Sequence, residues 1–229
     1  MKVEYKLAGD KGIVMEFENT ISEEVNSQVR SMLLAIDEVS LTAIEEVIPT
    51  YRSLLIIYDP FKISTDKLIN KLKEIKNNLQ NYDLEEPNTI EIPTVYGGEY
   101  GPDLQYVANH NNISEEKVIE IHSNREYLVY MLGFTPGFAY LGGMSEKIAT
   151  PRLDEPREKI SEGSVGIAGS QTGIYPIDSP GGWRLIGQTP KKLFDPYSDS
   201  PFLIRAGDYI KFKEISEKEF IKLKEGEGQ

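Results

Sequence analysis

Two hydrophobic periods alternate along the first eighty residues. Val3–Leu7 and Gly12–Phe17 read as two short strands around a turn at Gly9-Asp10-Lys11. The period then becomes helical. Val25, Val29, Met32, Leu33 and Ile36 mark one apolar face, with Ser22 as N-cap and Glu23 and Glu24 in the first turn. Ile44–Pro49 and Ser53–Tyr58 read as strands, and the unbroken apolar run of the latter (SLLIIY) predicts a central, buried strand. A second helix from about Ser64 to Leu79 turns Leu68, Leu72, Ile75 and Leu79 inward. The order ββαββα predicts a small α+β sandwich, with the helices on one face of an antiparallel sheet.

The polar, acidic stretch Asn81–Thr89, which contains Pro87, is the linker candidate. It divides the chain into residues 1–84 and 89–229. Beyond it the pattern predicts a strand at Thr89–Tyr96, short helices near Asp103–Ala108 and Ser114–Ile121, and a strand at Arg125–Leu132. From there short strands between Gly, Pro and Asp turns predict a closed or sandwich-like β domain. Asp208–Lys213 is its last strand, and Ser216–Lys224 a terminal helix.

Composition changes this picture between Gly133 and Thr189, where eleven of the nineteen glycines fall. Residues 133–143 carry no charge, and residues 163–189 carry only Asp178 and Arg184. Glycine suits backbone with positive φ or a close neighbour, and the interleaved prolines and aromatics predict rigid, shaped loops that build a surface. The net charge of −12 weighs against nucleic acid as a partner, because phosphate neutralisation dominates that binding. Residues 1–149 hold −11 of it, whereas residues 150–213 sum to +1, so the glycine-rich half tolerates a small anion. With no cysteine, disulfides, thiolate metal sites and a cysteine nucleophile are excluded. Charges run through the first seventeen residues, and no apolar run reaches the length of a membrane helix. A cytoplasmic protein without a membrane partner is expected.

Few motifs carry chemistry. The helix pair at 103–121 has helix-turn-helix spacing, but Glu115, Glu116 and Glu120 would face phosphates, so it reads as a structural hairpin. There is no phosphate-binding G-x-x-x-x-G-K-[ST] loop, no G-x-G-x-x-G, no H-E-x-x-H and no G-x-S-x-G. No metal site is expected. What remains sits in and around the glycine blocks. Arg152 and Arg157, in TPRLDEPRE, are candidate anion clamps, with surface ion pairs to Asp154, Glu155 or Glu158 as the alternative. Gln171 and Thr172, between Gly169 and Gly173, are candidate polar contacts. Gly181, Gly182 and Trp183 offer an aromatic platform beside a tight turn. Phe134 and Phe138, flanking Thr135-Pro136-Gly137, either line an apolar pocket or join the core. His122 is the candidate for proton transfer by its ordinary pKa, with a structural role as the alternative. This set is incomplete as catalytic machinery, which fits half of a shared active site or a protein-binding module.

The blocks GFTPGFAYLGG, TPRLDEPREKI and GSVGIAGSQTGIYPIDSPGGWRLIGQTP, followed by LFDP and RAGDYIKF, closely resemble the KipI family. Its members are also described as the B-type subunit of 5-oxoprolinase, as allophanate hydrolase subunit 1, or as carboxyltransferase subdomains C and D. The likeness extends through His122 to PTYRSLLIIYDP at Pro49–Pro60, and so covers nearly the whole chain. Two positions depart from the family pattern: Ser161 replaces the proline of an I-P-x-G-S turn, and Gln188 replaces the arginine of G-R-T-P. The resemblance implies an N-terminal ferredoxin-like α/β sandwich followed by a cyclophilin-like β-barrel. It further implies an ATP-dependent 5-oxoprolinase, which opens 5-oxoproline to glutamate. The partners would be a carboxyltransferase A/B-type (KipA-like) protein and a third component, with this chain inactive alone. Arg152, Arg157, Gln171, Thr172, Phe134, Pro136, Phe138, Gly181, Gly182 and Trp183 would then bind substrate or anion, with His122 transferring protons. Inhibition of a sporulation histidine kinase, and carboxyl transfer in a urea carboxylase-type system, are the alternatives that the family offers.

Overall fold

The computed structural model describes residues 2–79 and 87–226, and the chain divides into two compact units, residues 1–86 and 87–229. Residues 81–86 of the linker candidate lie outside the described residues.

In the first unit, strands β1 (Glu4–Leu7), β2 (Gly12–Glu16), β3 (Ile44–Pro49) and β4 (Ser53–Tyr58) form one antiparallel sheet in the order β1-β2-β4-β3. Helix α1 (Glu23–Val39) starts where expected, the Ser22 hydroxyl accepting the Val25 N–H at 3.2 Å. It ends at Ser40, in the left-handed region with φ 49°. Helix α2 (Thr65–Asn77) follows β4. Val29 and Met32 of α1, Leu54 and Ile56 of β4, and Leu68 and Leu72 of α2 are all fully buried in one cluster. Each such side chain stabilises the unit by about 1.5–3 kcal/mol. Strand β4 is central, but only Leu54, Ile56 and Tyr58 are buried, while Leu55 and Ile57 are half-covered. The continuous apolar run therefore resolves into alternate burial, as expected for a sheet covered on one face by helices.

The second unit is a closed barrel of seven strands, so the protein is α+β. They are β5 (Thr89–Tyr96), β6 (Glu126–Leu132), β7 (Ala139–Gly142), β9 (Ser164–Ala168), β10 (Gln171–Ile174), β12 (Arg184–Gln188) and β13 (Tyr209–Glu214). They close in the order β10-β7-β6-β13-β5-β12-β9, all antiparallel except the parallel pair β13–β5. Ile92, Val165, Ile167, Ile174, Ile210 and Phe212 fill the interior. Helices α3 (Leu104–His110) and α4 (Glu115–Ser123) form the expected hairpin, α3 against β12 and α4 against β13. A terminal helix, α5 (Glu217–Gly226), contacts β5. Outside the barrel, β8 (Arg157–Ile160) and β11 (Ser179–Gly181) pair as a two-stranded ribbon.

The glycine blocks are not mainly loops. Residues 139–142, 164–168, 171–174 and 184–188 are barrel wall. Gly166 and Gly173 face each other across β9 and β10. That placement leaves room for the Phe138 and Trp183 side chains.

Candidate functional site

The turn Phe134–Phe138 leads into β7. Gly133 donates to the Phe138 carbonyl at 3.0 Å and Phe138 donates to the Thr135 carbonyl at 3.1 Å. Phe134 is held at φ +69° and is 64% exposed, a costly conformation for a bulky residue. Phe138 is buried and touches four rings edge-to-face: Tyr140, Tyr175, Trp183 and Phe134, at centroid distances of 5.0, 5.2, 5.4 and 5.6 Å. Gly173 lies beneath them. A Cβ there would stand 3.0 Å from Trp183 Cζ3 and 3.1 Å from Phe138 Cζ, closer than side chains pack. At Gly181 a Cβ would run into the Tyr175 hydroxyl and stand 2.7 Å from Ile160 Cδ1.

Between these rings a cavity of about 330 Å³ opens, completed by Pro156, Pro180 and Arg152. The Arg152 guanidinium lies over Gly182, its Nη2 3.1 Å from where a Cβ would be. Among the described residues no carboxylate pairs with Arg152. Burial raises the Tyr175 hydroxyl pKa against the lowering influence of the Trp183 backbone N–H, and burial raises that of Tyr140 as well. Both phenols stay protonated at neutral pH. The lining holds no carboxylate, imidazole, thiol or serine, so it is built to bind rather than to move protons.

Six of the residues singled out in the sequence meet here: Phe134, Phe138, Arg152, Gly181, Gly182 and Trp183. Sequence reading missed Tyr140, Tyr175, Pro156 and Pro180. The spacing of Phe138 and Tyr140, two apart along a strand, was the available signal for one of them. Pro136 sits exposed at the tip of the turn and does not line the cavity.

Arg157 is not a free clamp. Its Nη2 binds both Asp103 carboxylate oxygens at 2.9 and 3.0 Å, and Nη1 donates to the Trp183 carbonyl at 3.3 Å. Asp103 also accepts the Leu185 N–H at 2.7 Å. The guanidinium thus ties β8 to the start of α3 and to β12 behind the pocket. Arg157→Ala is expected to destabilise the barrel unit by about 2 kcal/mol, between the values for exposed and buried pairs. Urea unfolding followed by Trp183 emission checks it; an unchanged midpoint would assign the pair no structural weight.

Gln171 and Thr172, the candidate polar contacts, lie in β10, where the ladders to β7 and β9 engage the backbone. Thr172 is fully buried, as is His122 in the last turn of α4. His122 Nε2 is 2.9 Å from Thr172 Oγ1, and Nδ1 is 2.8 Å from Tyr96 Oη. Thr172 Oγ1 lies 3.1 Å from the Gly166 carbonyl, which only accepts, so the hydroxyl proton points there. Nε2–H must then donate to Thr172, and Nδ1 accepts from Tyr96. One neutral tautomer is fixed. Burial, helped by the charge of Arg125, lowers the His122 pKa to about 3. A sealed imidazole without a free nitrogen is a core strut, and the expected proton-transfer role finds no route to the pocket.

The two departures from the family pattern lie together. Gln188 Nε2 donates to the Glu162 carbonyl at 2.6 Å, closing the turn that begins at Ser161. Among the described residues no group of three His, Asp or Glu side chains could hold a metal ion, and no helix is long and apolar enough to cross a membrane.

A closed barrel carrying these motifs, preceded by a small sheet-and-helix unit, places the chain in a defined class. It belongs to the carboxyltransferase domain family, subdomains C and D, whose profile matches residues 3–204. It is 44% identical to the B-type subunit of the Bacillus subtilis 5-oxoprolinase, over 98% of this chain and 99% of that one. A conserved protein of unassigned role from Pyrococcus horikoshii, known by crystal structure, is 50% identical, with 95% of this chain and all of that one covered and a TM-score of 0.57. The crystal structure of the K. lactis urea amidolyase is similar in fold, with a TM-score of 0.80 at 22% identity, over 97% of this chain but 15% of that one.

Proposed function

We propose that this chain works in the cytoplasm as one subunit of a 5-oxoprolinase, and that it contributes a binding surface rather than a full set of reacting groups. The observation that carries the reading is its 44% identity to the B-type subunit of a 5-oxoprolinase along almost the entire length of both chains. The site supports it chemically. Rings and a guanidinium can hold a substrate, but proton shuttling at neutral pH needs groups that the pocket lacks. A carboxyltransferase A/B-type partner and a third component would supply them, leaving this chain inactive alone.

ATP, which the resemblance implies for the assembly, does not fit the residues present. The pocket has one unpaired cation and the chain has no glycine-rich phosphate loop with its lysine. A second cavity, of about 350 Å³, is lined by both Asp199 and Arg205, so its charges offset each other. We assign ATP to another chain of the assembly. The order β1-β2-β4-β3, with β2 and β3 parallel on either side of β4, supports a ferredoxin-like reading of the first unit. The closed barrel supports a cyclophilin-like reading of the second.

Co-purification with both partners, followed by an assay of ATP-dependent glutamate release from 5-oxoproline, tests the proposal. Activity is expected only in the complete assembly. An active isolated chain would refute the shared site, and a stable but inactive assembly would return the chain to the kinase-binding alternative.

A further inference from the structure

The pocket's chemistry narrows what it holds. We infer that it binds the ring and the carboxylate of a small lactam acid, 5-oxoproline itself, with Arg152 taking the carboxylate and the aromatic walls taking the ring. The inference deepens the 5-oxoprolinase reading above and rests on it for the identity of the ligand.

Three arginines surround this part of the barrel, and two are already used. Arg157 is paired with Asp103, while Arg184 stacks on the Tyr106 ring at 3.7 Å and donates to the Pro151 carbonyl at 3.3 Å. Of the three, Arg152 alone has no ion pair, ring or carbonyl partner among the described residues, and it lines the pocket. One free guanidinium matches one carboxylate. A triphosphate or a dicarboxylate would bring charge that nothing in the lining neutralises.

Shape and polarity agree. A volume of about 330 Å³ lies at the small end of the range for ligand pockets, about 300–1,000 Å³, and suits a single ring. Phe134 and Trp183 flank the space and present apolar surface to ring methylenes. The Tyr175 hydroxyl lies close against Gly181, and burial keeps it protonated as a polar group in the lining. The same lining disfavours the product. Glutamate adds a second carboxylate and an ammonium, and no carboxylate in the pocket would receive the ammonium. The site therefore holds the closed ring and releases the opened chain.

The decisive variant is Arg152→Gln, which keeps length and removes charge at an exposed position unconnected to the core. In the reconstituted assembly it should raise the KM for 5-oxoproline about tenfold or more while changing kcat less, and Arg152→Lys should recover part of the loss. An unchanged KM in Arg152→Gln overturns the pocket assignment and leaves the 5-oxoprolinase reading intact. Should the wild-type assembly prove inactive, the 5-oxoprolinase reading fails, and calorimetric titration of the full chain decides the pocket by itself. Saturable heat with 5-oxoproline, absent with uncharged 2-pyrrolidone and lost in Arg152→Gln, upholds it; no binding by the wild type refutes it. Trp183, the only tryptophan in the chain, gives a second reading of ligand entry in the same titration.

Discussion

Acidification from pH 6.5 towards 3 is expected to weaken the barrel unit by up to about 1.4 kcal/mol per pH unit through His122 alone. The unfolded imidazole takes up a proton below its ordinary value of 6.5, whereas the buried ring resists protonation down to about 3. Within that window the unfolded chain binds more protons, so stability rises with pH and falls as pH is lowered. Above 6.5 neither state is protonated and the contribution is flat; below about 3 both are, and the loss levels off. The cause is desolvation of the cation, reinforced by Arg125. A protonated ring would also have to donate from Nδ1, where it now accepts from Tyr96. Urea midpoints at pH 7, 6, 5 and 4, followed by Trp183 emission, measure the slope. His122→Gln should be less stable at pH 7 and have a flatter profile. Carboxylates such as Asp178 and Asp195, lowered by their hydrogen bonds, add acid sensitivity of their own, which the difference between wild type and variant removes. Parallel profiles for the two proteins would show that His122 titrates normally.

How much of this was legible in the sequence depends on how far apart the interacting residues lie. Helix α1 was legible because its signals are local: Ser22, the two glutamates behind it, and an apolar face at helical spacing. The glycine blocks were legible as a surface but misread as loops. Glycine in a strand leaves no alternation to detect, and its purpose at Gly173 is visible only once the Phe138 and Trp183 rings lie against it. Arg152 and Arg157 share one short segment and look alike in sequence. What separates them is Asp103, 54 residues before Arg157, which takes one guanidinium and leaves the other free. His122 is the same case. Its partners Tyr96 and Thr172 lie 26 and 50 residues away, and they turn the candidate for proton transfer into a buried strut.

Phe138→Ala is expected to cost the barrel unit about 3–5 kcal/mol, the range for removing a buried phenylalanine. The ring is 2% exposed and stands at the centre of four edge-to-face pairs, each of which is worth about 0.5–1.5 kcal/mol beyond burial. Collapse into the gap is hindered, because Tyr140 and Trp183 are anchored on strands or beside them and Gly173 offers only backbone. Phe134 presents the opposite balance. It is 64% exposed at φ +69°, so Phe134→Gly relieves a strained backbone while giving up one ring pair, and stability should shift by no more than about 1 kcal/mol. The pocket loses a wall in both variants. Denaturation midpoints should therefore separate the two proteins, whereas the KM for 5-oxoproline should rise in both. A Phe134→Gly assembly that kept its wild-type KM would show that the exposed ring takes no part in holding the ligand, and that the strain at Phe134 serves only to shape the turn.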